Sequence, residues 1–155
     1  MHLVILTRRG LAFCAGSDLA EIDVASRSND RQSQWYHDAA AAPDWLTTIL
    51  RFPKPVVAAV NGAAFGAGVG LVLACDLVVA GSDSSLGCPE PRRGLVAEMI
   101  APLLAYRIGA GLATWLLLTP REIDAVAAQI FGVVHEIVET DKVFLLLCYE
   151  HRDQI

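Results

Sequence analysis

The chain has 155 residues, 54% of them hydrophobic and 19% charged, with a formal net charge of −5 at pH 7. That length suits one domain with a real core, and the acidic balance argues against a nucleic-acid partner, which needs a basic face. A soluble domain usually has about 25% charged residues and mean hydropathy here is +0.45, so apolar faces are expected to be covered by a subunit interface or a further segment.

In chain order, Leu3–Leu6 reads as a buried strand followed by a loop through Arg8–Ala15. A helix is expected to start near Ser17 and Asp18, residue types that satisfy free amides at a helix N-terminus. Ser26–Gln34 is polar and reads as a mobile stretch. A helix follows over Trp45–Arg51, stopped by Pro53 and Pro55. The β-branched run Val56–Val60 predicts a strand, Gly68–Cys75 a short buried helix and Leu77–Val79 another strand. Gly81–Gly94 reads as loop. Helices are expected over Pro102–Arg107, Gly111–Leu118 and Ile123–Phe131, and a short strand over Val133–Val138. Residues 140–155 are left to a terminal helix of open extent, within a single domain spanning 1–155.

From Lys54 to Asp76 only Asn61 is clearly polar, which is long enough for a membrane span. Pro55, Asn61–Gly62 and three further glycines cut that run into strand, turn, helix and strand, so no membrane partner is expected. "HLVIL" is too short for a signal peptide, and Arg8–Arg9 follow it rather than precede it. Cys14, Cys75, Cys88 and Cys148 are scattered without a CxxC pair, and His2, His37, His135 and His151 are isolated from one another. Free thiols in a reducing, cytoplasmic compartment are therefore expected, with no metal. Arg8–Arg9 and Arg92–Arg93, the paired basic residues, read as solvated or as contacts for a ligand phosphate.

The glycines Gly62, Gly66, Gly68 and Gly70 demand bare backbone between two apolar runs. A dinucleotide cradle does not fit: the third glycine of GxGxxG would fall at Leu71, and no acidic strand end follows about twenty positions on. "AFCAGS" (Ala12–Ser17) and "AFGAGV" (Ala64–Val69) echo each other, each between a β-rich run and a helix. Two such helix starts aimed at one point would hold a developing oxyanion. Equally, their small residues would simply let helix and sheet pack closely.

Taken together, "AFCAGSDL", "FPKPVVAAVNGAAFGAGVGLVLACDLVVAG" and "GCPEPRRGLV" resemble the enoyl-CoA hydratase/isomerase (crotonase) family in order and spacing, over about Leu3 to Val138. The resemblance implies an α/β fold, a crotonase-like spiral of β-β-α turns that is incomplete at both termini. It implies an acyl-CoA thioester as substrate, coenzyme A entering only as part of it, and no separate cofactor. It also implies a homo-oligomer, a trimer or dimer of trimers. By motif position the oxyanion hole would be the backbone amides of Ser17 and Ala67. Ala15, Gly16, Asp18, Gly66 and Gly68 would line the bound thioester, and Lys54, Arg8 and Arg9 are candidates for the coenzyme A phosphates.

The acids depart from the hydratase pattern. Hydratases of the family carry two glutamates, and the first position here is Gly70. The second is matched by Glu90, the expected general acid/base. Glu98 stands where dienoyl-CoA isomerase relatives have a catalytic acid, or else stabilises a helix start through its dipole. One glutamate tilts the chemistry from hydration towards double-bond isomerisation. The rival reading is a non-catalytic paralogue that keeps the fold as a CoA-binding or assembly subunit.

Overall fold

The structure, a computed structural model, describes residues 2–18 and 44–143. Among the described residues eight strands form two sheets: β1 (Val4–Leu6), β3 (Val56–Val60), β5 (Leu77–Gly81) and β8 (Glu136–Val138) in one, and β2 (Ala12–Cys14), β4 (Ala63–Phe65), β6 (Ser85–Gly87) and β7 (Glu122–Asp124) in the other. The first sheet is wholly parallel, with Val4 opposite Val56 and Val57 opposite Leu77. The second is parallel except for the antiparallel β6–β7 pair. Each of the first three strands of one sheet passes directly to a strand of the other, which is the repeating β-β step of the spiral.

The helices are α1 (residues 44–50), α2 (Ala67–Ala74), α3 (Ala101–Ile108), α4 (Ala110–Leu118) and α5 (Ala125–Ile130). Strand β3 explains how the layers stack. All five of its residues are buried, as expected of a parallel strand covered on both faces. Val56, Ala58 and Val60 point into the main core with Phe13, Val72 and Leu104, whereas Val57 and Ala59 point the other way, towards Val79 and Val143. Period-2 alternation thus distributes one short apolar run between two cores.

Polar groups fix the strand ends. Val56 N donates to Asp76 Oδ2 at 2.8 Å while Asp76 N donates to Val56 O at 2.9 Å, clamping the entries to β3 and β5 together. The buried Ser84 hydroxyl donates to Val60 O at 2.8 Å. Asp124 caps α5, accepting from Ala127 N at 2.7 Å. His135 Nδ1 accepts from Val78 N at 3.0 Å, which joins β8 to β5.

The structure corrects several sequence expectations. Strand β2 lies inside the predicted loop Arg8–Ala15, β4 inside the glycine-rich turn, and β6 with a 3-10 turn (Glu90–Arg93) inside Gly81–Gly94. These strands have three residues each, too few to carry a periodic signal, and form because a partner strand is already in place. The predicted helix at Ile123–Phe131 divides into β7 and α5, and the strand over Val133–Val138 is only Glu136–Val138. The helix expected from Ser17–Asp18, the stretch Ser26–Gln34, His37, Cys148, His151 and most of 140–155 lie outside the described residues, apart from a 3-10 turn at Thr140–Lys142. Among the described residues no helix is long and apolar enough to cross a membrane.

Candidate active site

The two small-residue turns meet. A Cβ added to Gly16 would stand 3.0 Å from Phe65 O and 3.8 Å from Ala67 N, so the Ala15–Ser17 turn lies against the start of α2. Gly16 holds φ +99° and Gly66, the N-cap of α2, holds φ 54° and ψ −119°. Both are conformations that a side chain disfavours. Gly68 in turn packs its Cα face directly on Cys14. The Ala67 amide opens the helix, where the first N–H groups lack an intrahelical acceptor and carry the positive end of the dipole. Ser17 is exposed and Ala67 half-buried.

The third motif arrives at the same place. Gly66 N donates to Gly87 O at 3.0 Å, which ties the turn to the end of β6 three residues before Glu90. Glu90 begins the 3-10 turn that closes at Gly94, with Leu95 N donating back to Glu90 O at 3.1 Å. Arg92 anchors that turn by donating to Pro120 O at 2.8 Å. The result places the carboxylate against Gly66, where an added Cβ would stand 2.5 Å from Glu90 Oε1. Glu90 Oε2 is buried and has no hydrogen-bond partner among the described residues.

Burial raises the Glu90 pKa above its ordinary 4.5, opposed by a backbone hydrogen bond and by the nearby Arg93 cation. A carboxyl raised by desolvation and left with a free buried oxygen suits proton transfer. The neighbouring Cys88 thiol is pushed up to about 12 by burial and then by the Glu90 charge, and Cys75 to about 11 by burial and then by Asp76. Both stay protonated at neutral pH and are poor nucleophiles.

The other sequence candidates lie at the surface. Glu98 is exposed in the turn before α3, whose N-cap is Ile100 and whose first turn has no acid, so the helix-start reading of Glu98 is corrected. The charge that acts on Glu90 is that of Arg93. Ala15, Asp18, Arg8, Arg9 and Lys54 are exposed, and Arg8 donates to Ala12 O at 3.5 Å.

Gly70 brings in residues that no motif indicated. An added Cβ there would stand 2.7 Å from Ile100 Cγ2, 3.3 Å from Trp45 Cη2 and 3.5 Å from Leu46 Cδ2. The space beyond Gly70 is therefore filled with carbon. At the other end of α2, Arg107 donates to Leu73 O at 3.2 Å and to Cys75 O. The basic residue in the last turn of α3 was the available signal, but nothing in its spacing names those acceptors.

Comparison with known proteins agrees with this geometry. The family model for enoyl-CoA hydratase/isomerase matches residues 1–146. A Thermus thermophilus protein provisionally named an enoyl-CoA hydratase is 38% identical over 142 residues, covering 92% of this chain and 55% of its own. The 2,3-dehydroadipyl-CoA hydratase of Escherichia coli is 36% identical over 145 residues, covering 91% of this chain and 53% of its own. The crystal structure of an enoyl-CoA hydratase from Bacillus anthracis superposes with TM-score 0.85 at 33% identity, covering 97% of this chain and 57% of that one. The chain spans about half the length of the curated relatives it matches. With its two-sheet spiral and three motifs converging on one turn, the chain belongs to the enoyl-CoA hydratase/isomerase family.

Proposed function

We propose that this chain processes an enoyl-CoA thioester by moving a proton with a single carboxylate, Glu90, while the Ser17 and Ala67 amides hold the thioester oxygen. In double-bond isomerisation, Glu90 removes a proton from C2 of a 3-enoyl thioester. The C–H electron pair moves into the C2–C1 bond and the negative charge collects on the thioester oxygen. The amides stabilise that charge, each donor of this kind being worth about 2.7–4 kcal/mol of barrier. The Glu90 carboxylic acid then returns the proton at C4, leaving a 2-enoyl thioester and a regenerated carboxylate.

The observation that carries this reading is the buried, unpartnered Oε2 of Glu90 beside the first turn of α2. Gly70 in place of a second acid favours isomerisation over water addition, since positioning one water is easiest between two carboxylates. Glu98 is assigned no step, because it is exposed outside the Glu90 turn. Lys54, Arg8 and Arg9 are the proposed contacts for the coenzyme A phosphates. The reading includes self-association as a trimer or dimer of trimers in the cytoplasm, supported by apolar side chains left exposed on α3, α4 and α5, with Tyr106 85% and Ile130 77% exposed.

The test is turnover of 3-hexenoyl-CoA and crotonyl-CoA by the full chain and by Glu90→Gln. Loss of about 10²–10⁴-fold is expected in the variant. Unchanged turnover rejects Glu90 as the acid/base, and thioester binding without turnover by the unaltered chain favours the non-catalytic CoA-binding or assembly reading.

A further inference from the structure

We propose that Arg93 is a positioning residue for Glu90, its guanidinium sharing one edge of the same 3-10 turn and holding the carboxyl in the ionised form that must accept the substrate proton. This inference rests on the acyl-CoA reading and assigns the charge that keeps its base available. Glu90 opens the 3-10 turn and Arg93 ends it, before Gly94 at φ 68°. Positions three apart in such a turn eclipse each other and rise by about 6 Å, close enough for an opposite charge to act on a carboxyl. Glu90 is half-buried, with Oε1 against Gly66, whereas Arg93 is exposed. The base therefore lies against α2 while its counter-charge stays at the surface. Arg92, the other cation of the turn, is committed elsewhere and donates to Pro120 O at 2.8 Å.

The groups around the turn single out Arg93. Helix α4 packs against the turn, and neither α4 nor α2 carries a charged side chain. Cys88, two residues before Glu90, stays a neutral thiol. Arg121 and Glu122, of opposite sign, lie against Gly87. The cation that acts on Glu90 is Arg93. In the proposed reaction Glu90 must begin as a carboxylate, yet burial favours the neutral acid, so falling pH would leave the site without a base. Arg93 opposes burial from the surface. An exposed cation acts modestly and is screened by salt, so its removal should cost about two- to fivefold in base availability on the acid side.

The experiment measures kcat/KM for 3-hexenoyl-CoA against pH in the full chain, Arg93→Gln and Arg93→Lys, together with the Glu90 titration by carboxyl NMR, its signal identified by loss in Glu90→Gln. The ratio of kcat/KM at about pH 5 to that at about pH 8 is expected to fall about two- to fivefold in Arg93→Gln, with the Glu90 titration moving upward. Arg93→Lys, which keeps the charge, should retain the parent ratio. Added salt should lower the ratio in the parent and leave Arg93→Gln unmoved. A merely structural role for Arg93 would lower both rates alike and leave the ratio where it was. An unchanged ratio in Arg93→Gln, or an equal fall in Arg93→Lys, overturns the inference and leaves the acyl-CoA reading standing. Absence of turnover of both 3-hexenoyl-CoA and crotonyl-CoA by the unaltered chain overturns that reading and the role of Arg93 with it.

Discussion

Glu90 and Gly66 are in direct apposition: a single methyl group on the glycine would stand 2.5 Å from the Glu90 Oε1 atom. Twenty-four residues apart in sequence, they are held together by the Gly66 N to Gly87 O hydrogen bond and by the short turn that follows it. The candidate acid and the start of α2 are consequently one structural unit, and changes to either should be felt by both.

Gly66→Ala should destabilise the protein by about 1–3 kcal/mol. The φ of 54° with ψ −119° is unfavourable for any side chain, and the new methyl group would displace the Glu90 carboxylate. Thermal unfolding measures the first effect. Turnover of 3-hexenoyl-CoA, measured well below the melting temperature, should fall by more than the unfolded fraction accounts for.

The pH dependence of Glu90→Gln has a definite sign. Burial raises the folded-state pKa above the ordinary 4.5, so the folded protein holds this proton more tightly than the unfolded chain. The stability linked to that proton is present below about pH 4.5 and is lost as pH rises through the raised value. Glu90→Gln removes the ionisation, so the variant should be more stable than the parent at pH 8. Near pH 4 the two should converge. Melting curves at both pH values check this, and a pH-independent difference would contradict it.

Gly70→Glu should not create a water-adding enzyme. Its Cβ would meet Ile100 Cγ2 at 2.7 Å, and its carboxylate would enter a region of carbon. Overpacking alone costs about 1–3 kcal/mol, and an unpaired buried carboxylate adds to it. A lowered denaturation midpoint is expected, with no gain in hydration of crotonyl-CoA. Gly70→Ala, which imposes only the steric part, should fall between the two in stability.

Arg107→Ala should cost about 1.5–3 kcal/mol, because it strips a charged donor from the Leu73 and Cys75 carbonyls at the end of α2. Chemical denaturation gives the value. Arg107→Lys should recover only part of it, since an ammonium lacks the planar fork that spans two carbonyls.

The three sequence motifs were sufficient to name the family, to order the main elements and to single out Glu90. The runs that succeeded were long: Val56–Val60, Ala67–Ala74 and the helices from Ala101 to Leu118 all carry enough apolar residues to declare their burial. The three-residue strands β2, β4 and β6 did not, because each is stabilised by its neighbours in the sheet rather than by its own composition. Glu98 lies two residues before Ile100, the N-cap of α3, and so outside that helix's first turn.

Local residue chemistry thus determined which groups are available: small residues for close approach, amides at a helix start and one candidate acid. Only the tertiary structure decided what those groups face. Gly70 reads in sequence as a missing glutamate, yet in space it is the position on which Trp45, Leu46 and Ile100 converge. They come from segments up to thirty residues away on either side. Contacts between such distant segments depend on how two sheets and their helices stack, and no local pattern encodes that stacking.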